Sequence, residues 1–257
     1  MDVGACMAEF FGVDCTAGIS FLDSMVRLLY DNERREQVSG IDLAGIIDHT
    51  LLRPEAGSDD IRRLCDEAQK YGFFSVCVNT HFVPLVAGKL ESSGVKVCSI
   101  SGFPLGAVDT AVKAFEARRA VESGADEIDM VINVGALKEA ETAFVRDDIA
   151  GVVTACGKSL VKVIIEAALL SDEEKVTVCG LAVEAGAAFV KTSTGFGPPG
   201  ANIRDVGIMR GAVGPDFGVK ASAGIRTAEF AVELVKAGAN RIGTSAGVQI
   251  VEELKGI

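Results

Sequence analysis

Histidine is scarce in this sequence. Among 257 residues there are two, His49 and His81, and no cluster of carboxylates is spaced around either of them. Histidine is a common ligand of catalytic zinc and similar ions, which are held by three or four protein side chains. We therefore expect no metal site in this protein.

An excess of basic residues is also missing. Lysine and arginine total 25 against 36 aspartates and glutamates, which gives a formal net charge of −11, and no basic run with interleaved aromatic residues occurs. Because nucleic acid is attracted by clustered positive charge, this composition excludes nucleic acid as a partner. Any anionic ligand must be held by a local device, such as the N-terminus of a helix.

A Cys-x-x-Cys pair and a long apolar run are absent as well. The seven cysteines are scattered along the chain, an odd number that is typical of reduced thiols in a cytosolic protein. No apolar run reaches the roughly 18 residues of a membrane span. The first basic residue is Arg27, so the charged start of a secretory signal is missing. We expect a cytoplasmic protein without a membrane partner.

Short β-branched runs alternate with amphipathic stretches from Gly45 onward, which predicts repeated βα units. The strand candidates are residues 45–50, 73–79, 95–102, 127–133, 160–167, 189–194, 218–224 and 241–245. Helices are predicted between them, for example over 59–71, 108–123, 171–185 and 227–237. Eight such units close a (β/α)8 TIM barrel. The alternative is an open doubly wound sheet, which usually carries a glycine fingerprint near its first strand, and IIDHTLL contains no glycine.

Glycines mark several helix ends, and an extension precedes the barrel. Gly124, Gly186 and Gly238 follow predicted helices, where glycine takes the left-handed conformation before the next strand. Residues 1–40 contain the amphipathic segment ISFLDSMVRLLYDNERREQ. We therefore predict a mostly helical N-terminal extension over residues 1–40, including one extra helix, and a barrel domain over residues 41–257.

Polar residues gather at the C-terminal ends of the predicted strands, where barrel enzymes carry their chemistry. A spacing of two places both members of a pair on one face of a strand. The residues are Asp48 and Thr50, Asn79, Asp129 and Asn133, Lys162 and Glu166, Lys191 and Ser193, and Lys220 and Ser222. Singly, the acids and amides are more typical of polar layers or loop caps. Cys77 is expected to pack, and His49, next to Asp48, should face away from the barrel interior.

Three lysines on three consecutive strands change this balance. Lys162, Lys191 and Lys220 would share a low-dielectric interior with few carboxylates to pair them, and burial and repulsion both favour a neutral amine. One lysine alone is as often a structural ion-pair partner. A neutral lysine beside a second cation, however, is an activated nucleophile that can form a Schiff base. We predict that Lys220 or Lys162 keeps Lys191 deprotonated.

Small glycine-containing turns follow the last three strands, in TSTGFG, SAGIRT and GTSAG. Barrel enzymes commonly bind phosphate in this region, at the N-termini of the following helices. We predict that backbone N–H groups of Gly195, Gly224, Gly243 and Ser245 cradle one phosphate. Glycine also serves tight turns, so the prediction rests on the three turns together.

A resemblance to a known family is carried by eight motifs. In order, between about Asp42 and Val251, they are IIDHTLL, SVCVN, SISGFPLGA, GADEIDMVINVGALK, VKVIIEA, FVKTSTGFG, VKASAGIRT and RIGTSAGV. They closely resemble deoxyribose-phosphate aldolases of the class I, Schiff-base type. The resemblance implies a TIM barrel that reversibly cleaves 2-deoxy-D-ribose 5-phosphate to D-glyceraldehyde 3-phosphate and acetaldehyde, without a metal or organic cofactor. We also expect a homodimer or higher homo-oligomer.

The resemblance implies roles for single residues. Lys191 in VKTSTG is the implied Schiff-base residue, and Asp129 in EIDMVIN and Lys220 in VKASAG are the implied proton donor and acceptor. The implied supporting residues are Asp48, Thr50, Lys162 and Cys77. The implied phosphate site adds Ala223 and Arg226 to Gly195, Gly224, Gly243 and Ser245.

Two positions depart from the family pattern. Ala223 stands where glycine is usual, and its β-carbon is expected to crowd the phosphate or tilt the loop; Thr80 follows VCVN, where proline is common. Two other functions remain open. One is a phosphosugar isomerase, which would use a carboxylate base and need no neutral lysine. The other is a non-catalytic barrel that serves as a scaffold or sugar-phosphate sensor.

Overall fold

The computed structural model describes residues 42–197 and 199–256. The predicted N-terminal extension and its amphipathic helix lie outside these residues. The strands are β1 (Ile47–Leu51), β2 (Ser75–Val78), β3 (Lys96–Ser101), β4 (Glu127–Val131), β5 (Leu160–Ile164), β6 (Phe189–Lys191), β7 (Gly218–Ser222) and β8 (Arg241–Thr244). The helices are α1 (Ser58–Tyr71), α2 (Val83–Leu90), α3 (Thr110–Glu122), α4 (Val134–Lys138), α5 (Thr142–Cys156), α6 (Asp172–Glu184), α7 (Ile203–Val213), α8 (Ala228–Lys236) and α9 (Gly247–Gly256).

The eight strands form one closed parallel barrel in sequence order. Each strand pairs with the next, and β1 pairs with β8 to close the ring. The predicted TIM barrel is therefore confirmed, and the open doubly wound sheet is wrong. Residues Asp42–Glu253 form one compact unit, and the predicted domain boundaries at 40 and 257 stay a prediction.

Local sequence signals account for where helices begin and end. Ser171 caps α6 by accepting a hydrogen bond from the N–H of Glu174, whose carboxylate accepts one from the N–H of Ser171, the reciprocal pattern of a capping box. The glycines after α3, α6 and α8 have positive φ, as predicted: Gly124 at 110°, Gly186 at 82° and Gly238 at 118°. These glycines turn the chain from each helix into the next strand.

Several strands end earlier than their sequence runs predicted. Glu166 and Ala223, placed in the fifth and seventh strand candidates, have φ of 49° and 72°, which no strand residue adopts. Asn133, placed in the fourth, instead caps α4 by accepting a hydrogen bond from the N–H of Ala136. The polar residues at these positions therefore belong to loops that begin at the barrel mouth.

A buried ion pair joins two helices outside the barrel. Lys113 of α3 and Asp148 of α5 are both almost completely buried, with 2.6 Å between Nζ and Oδ2. Thr110 donates a second hydrogen bond to the same carboxylate. Burial lowers the pKa of Lys113, and the bond to Asp148 acts in the opposite direction.

Among the described helices, none is long and apolar enough to cross a bilayer.

Candidate active site

Charged side chains fill the barrel interior, which we call the lumen. Seven of them form the lumen charge cluster: Asp48, Glu127, Asp129, Lys162, Lys191, Lys220 and Arg241, all buried. They come from β1, β4, β5, β6, β7 and β8. Because alternate residues of a strand face the same side, the strand pattern that makes the barrel also directs these groups inward.

Asp129 lies at the centre of the cluster and bonds to all three predicted lysines. Its Oδ2 accepts hydrogen bonds from Nζ of Lys191 at 2.8 Å and Nζ of Lys220 at 2.7 Å. Its Oδ1 accepts one from Nζ of Lys162 at 2.8 Å. One carboxylate oxygen is therefore shared by Lys191 and Lys220, and the other faces Lys162.

Two members of the lumen charge cluster, Glu127 and Arg241, were not predicted from the sequence. Glu127 accepts from Nζ of Lys162 at 2.7 Å and from Nη1 of Arg241 at 2.9 Å. The Arg241 guanidinium also contacts Asp48 at 3.0 Å and lies 3.4 Å from the centroid of the Phe74 ring. Glu127 stands two residues before Asp129, so the period-two rule would have found it.

The buried lysines pair with carboxylates, whereas the sequence predicted that the lysines would repel one another. Lys220 lies 2.5 Å from Asp48 Oδ2 as well as 2.7 Å from Asp129, so it is compensated twice. The expectation that only a few carboxylates would pair the lysines is therefore wrong for Lys162 and Lys220. It failed because a carboxylate can reach a lysine across the barrel from a distant strand, which sequence spacing does not show.

The charge count nevertheless singles out one lysine. Three carboxylates face four cationic groups in the cluster. Within residues 42–197 and 199–256, Lys191 has one carboxylate contact, whereas Lys162, Lys220 and Arg241 each have two or more. Lys191 is therefore the basic group of the cluster that is held by the fewest carboxylates.

Burial and ion pairing act in opposite directions on these groups. Burial alone would lower the pKa of Lys162 and Lys220, but Asp129 and Asp48 raise both above the ordinary lysine value. Burial would likewise raise the pKa of Asp129, yet the three lysines lower it well below the usual range. Lys162 and Lys220 are thus held as cations and Asp129 as an anion.

Thr50 and Cys77, two of the implied supporting residues, have defined neighbours, and His49 lies on the outer side of β1. Thr50 donates to the backbone oxygen of Asp48 at 2.9 Å, and buried Cys77 faces Cys98 on the neighbouring strand. His49 faces away from the lumen, as predicted, and contacts Glu67 at 2.7 Å. Burial lowers the pKa of His49, and the hydrogen bond to Glu67 opposes this effect.

The other polar candidates hold loops at the barrel mouth. Asn79 donates to the backbone oxygen of Leu52. Glu166 accepts hydrogen bonds from the N–H and hydroxyl of Thr194, at 3.2 and 2.5 Å. These contacts agree with the interpretation of Asn79, Asn133 and Glu166 as loop caps. None of these hydrogen bonds involves Lys191.

The turns after β6 and β7 meet at the mouth. A β-carbon on Gly195 would lie 3.3 Å from that of Ala223, and one on Gly200 would lie 2.1 Å from the Ala223 oxygen. Ala223 therefore takes its left-handed conformation within a tightly packed loop. Gly224 and Arg226 are exposed on the same turn.

Gly243 and Ser245 occupy different surroundings. Gly243 lies within β8, and a β-carbon there would come 2.8 Å from Cε of Lys220, so the glycine leaves room for that lysine. Ser245 is exposed and lines a cavity of about 310 Å³ with residues of β1 and α1 and with Arg53 of the loop between them. Ser245 is thus accessible to a ligand.

Two groups of side chains have the spacing of metal ligands among the described residues. They are Cys77 with Cys98 and Asp129, and Asp48 with Cys98 and Glu127. Every carboxylate in them is already bonded to an ammonium or guanidinium group. A metal ion would have to compete with these cations for the same oxygens.

Comparison with known proteins identifies relatives over most of the chain. The family described as DeoC/LacD family aldolase matches residues 43–253. Deoxyribose-phosphate aldolase 1 of Bacillus licheniformis is 57% identical over 213 residues, 82% of this chain and 96% of the relative. Deoxyribose-phosphate aldolase of Thermococcus gammatolerans is 57% identical over 217 residues, 83% of this chain and 96% of the relative.

A solved structure extends the likeness to three dimensions. A tetrameric deoxyribose phosphate aldolase from Aeropyrum pernix superimposes with a TM-score of 0.80 at 38% identity, and the match covers 86% of this chain and 96% of that one. The family match over residues 43–253 takes in all eight strands and the whole lumen charge cluster.

Proposed function

The chain belongs to the DeoC/LacD family of aldolases, and from this premise we propose that it reversibly cleaves 2-deoxy-D-ribose 5-phosphate through a Schiff base on Lys191. The products are D-glyceraldehyde 3-phosphate and acetaldehyde. The family resemblance carried by the eight motifs is confirmed, and the protein is an aldolase, a carbon–carbon lyase. The substrate and the residue roles are the proposal.

The observation that supports Lys191 most directly is its place in the lumen charge cluster. Among the described residues, it is the basic group of the cluster with a single carboxylate contact. The side chain is 3% exposed at the end of β6, next to the barrel mouth. A substrate entering from the mouth therefore meets the lysine that is held by the fewest carboxylates.

The proposed reaction starts with attack of the Lys191 Nζ on the aldehyde carbon of the open-chain sugar. Loss of water leaves an iminium, which can accept an electron pair. Removal of the proton from the hydroxyl on the third carbon then breaks the bond between the second and third carbons, and the pair moves to give an enamine. Protonation of the enamine carbon and hydrolysis release acetaldehyde and the free lysine.

These steps need a proton acceptor and donor next to Nζ. Asp129 Oδ2 lies 2.8 Å from Nζ of Lys191 and 2.7 Å from Nζ of Lys220, so a proton can pass between the three groups over hydrogen-bond distances. Lys220, held cationic by Asp129 and Asp48, supplies a charged donor. Lys162 and Asp48 hold Asp129 and Lys220 in position.

We place the substrate phosphate at the turns after β6, β7 and β8. The proposed groups are Gly195, Ala223, Gly224, Arg226 and Ser245 in these turns, together with Gly243 near the end of β8. Packing of Gly195 against Ala223 brings two of these turns together, and Ser245 is exposed beside a cavity. Substituting Ser245→Ala removes the hydroxyl and keeps the backbone N–H. If the hydroxyl also binds the phosphate, kcat/KM should fall for deoxyribose 5-phosphate and stay unchanged for deoxyribose; equal reductions would show that the hydroxyl does not bind the phosphate.

We also propose a homo-oligomer in the cytoplasm. The related Aeropyrum pernix enzyme is described as tetrameric, and the described cysteines are free thiols, as expected in a reducing compartment. Light scattering during size-exclusion chromatography gives the mass in solution, and a monomer at micromolar concentration would contradict the assembly.

Borohydride reduction in the presence of acetaldehyde tests the proposed chemistry. The reduced Schiff base leaves an ethyl group on Lys191, which intact-mass and peptide analysis locate. A phosphosugar isomerase or a non-catalytic barrel gains no covalent mass. Cleavage of deoxyribose 5-phosphate measured with and without a chelator completes the test, because the proposed steps predict equal rates.

A further inference from the structure

Two cysteines face each other in the lumen wall. Cys77 on β2 and Cys98 on β3 are register partners, and both are fully buried. Their sulfur atoms and one carboxylate oxygen of Asp129 all lie within 4.8 Å of one another. The two thiols therefore adjoin the carboxylate that the proposed reaction uses.

The surroundings of the two thiols differ. A hydrogen bond with Cys98 lowers the pKa of Cys77 and the charge of Lys220 acts in the same direction, whereas burial and the Asp129 carboxylate oppose them. Burial and the same hydrogen bond raise the pKa of Cys98 well above the ordinary value. The thiolate is the reactive form of cysteine, so we assign Cys77 as the attacking thiol and Cys98 as the resolving thiol.

Cys98 also touches the charge cluster directly. Its sulfur lies 3.2 Å from Nζ of Lys162 and 3.3 Å from Oδ1 of Asp129. Any change in the bonding of this sulfur alters what Asp129 contacts on the side away from Lys191.

We propose that Cys77 and Cys98 form a peroxide-responsive dithiol that inactivates the enzyme by closing to a disulfide beside Asp129. The Cys77 sulfur attacks one peroxide oxygen, the O–O bond breaks, and water leaves after taking up a proton. This step oxidises Cys77 to the sulfenic acid and reduces the peroxide by two electrons. The Cys98 sulfur then displaces the hydroxyl group, which leaves as a second water with the Cys98 proton.

Inactivation follows from what the disulfide removes. The Cys98 S–H that lies against Asp129 Oδ1 is lost, and the sulfur is drawn toward β2. The Asp129 side chain, and with it the oxygen shared by Lys191 and Lys220, loses a fixed neighbour. This consequence rests on the proposed function, whereas formation of the bond does not.

Small reagents reach this position if the proposed reaction occurs. Acetaldehyde must approach Nζ of Lys191, which lies 2.8 Å from Oδ2 of Asp129. The Cys77 sulfur lies within 4.8 Å of a carboxylate oxygen of the same aspartate, and hydrogen peroxide is smaller than acetaldehyde. Three other described cysteines provide a contrast. Burial raises the pKa of Cys65 to about 11, of Cys156 to about 11 and of Cys179 to about 12, so they should react slowly.

The experiment treats the full-length reduced protein with graded hydrogen peroxide, removes the peroxide with catalase, and alkylates remaining thiols after denaturation. Proteolysis without reductant should yield a Cys77–Cys98 linked peptide in proportion to the cleavage activity lost. Dithiothreitol should restore both the thiols and the activity. Absence of the linked peptide at peroxide levels that oxidise other cysteines would overturn the proposal, and so would a quantitative disulfide with full activity.

Two variants, each compared with its own reduced activity, sharpen the result. In Cys98→Ser no resolving thiol remains, so the Cys77 sulfenic acid should be oxidised further to the sulfinic acid. The loss of cleavage activity should then become irreversible with time. Cys179→Ala should behave as wild type. A Cys98→Ser protein that stays reversible contradicts the proposal. If the protein has no cleavage activity but forms the disulfide, the dithiol stands and the proposed reaction fails.

Discussion

Substituting Asp129→Asn tests the shared carboxylate oxygen most directly. The change keeps the shape of the side chain but removes the charge that contacts Lys191, Lys220 and Lys162. An amide offers one oxygen, so the proton acceptor between Lys191 and Lys220 is weakened or turned away. We expect cleavage to fall about 10²- to 10⁴-fold, the usual contribution of a positioned acid or base, which equals about 3–5 kcal/mol of barrier.

Two assays separate chemistry from folding in this variant. Cleavage of deoxyribose 5-phosphate is measured together with borohydride trapping of acetaldehyde, because the Schiff base needs the Lys191 amine and should still form slowly. The matched control is Glu127→Gln. It removes one buried carboxylate from the same strand, but Glu127 contacts Lys162 and Arg241 and neither Lys191 nor Lys220.

Both variants break a buried ion pair, so each should lose about 3–5 kcal/mol of stability, as measured by urea unfolding. The control should keep much more of its cleavage activity under conditions where both proteins are folded. Equal activity losses in the two folded variants would show that the lumen acts only through its total charge. Asp129→Asn within a few-fold of wild type would refute the assignment of Asp129 as acid and base.

The remaining predictions concern other parts of the structure. Lys191→Ala should stay folded by circular dichroism with no measurable cleavage, and more than trace activity would move the nucleophile elsewhere. Gly243→Ala should reduce kcat about 10²-fold, because its β-carbon would lie 2.8 Å from Cε of Lys220, the proposed proton donor, and small misplacements are costly. Gly180→Ala, with open space around it, should not reduce kcat. Lys113→Met should lower the free energy of unfolding by about 3–5 kcal/mol by leaving Asp148 unpaired. Adding Asp148→Leu should recover much of that loss, and an additive double variant would contradict the pairing.

Strands and inward-facing lysines could be predicted because both are local properties. A β-branched run with a polar residue at every second position defines a strand and its inner face within a few residues. Loop starts could not be predicted in the same way. Glu166 and Ala223 leave the strand through positive φ, a conformation that neither residue type signals and that the surrounding packing imposes.

Partners across the lumen depend on barrel closure and are hidden from local patterns. Asp129 and Lys220 are 91 positions apart along the chain, and their contact follows from the ring of strands. Glu127 and Arg241 were missed although each stands two residues before a predicted site residue, Asp129 and Gly243. Applying the period-two rule toward the N-terminal end of each strand would have found them.

The interlocked charges of the lumen also constrain how this protein can diverge. Replacing any of the six groups other than Lys191 changes the balance of buried charge among them, so a first substitution is harmful until a second one restores the balance. The turns at the mouth carry no such coupled penalty. Changes in substrate preference, in nature or in directed evolution, should therefore accumulate in the turns, while the lumen is inherited as a block.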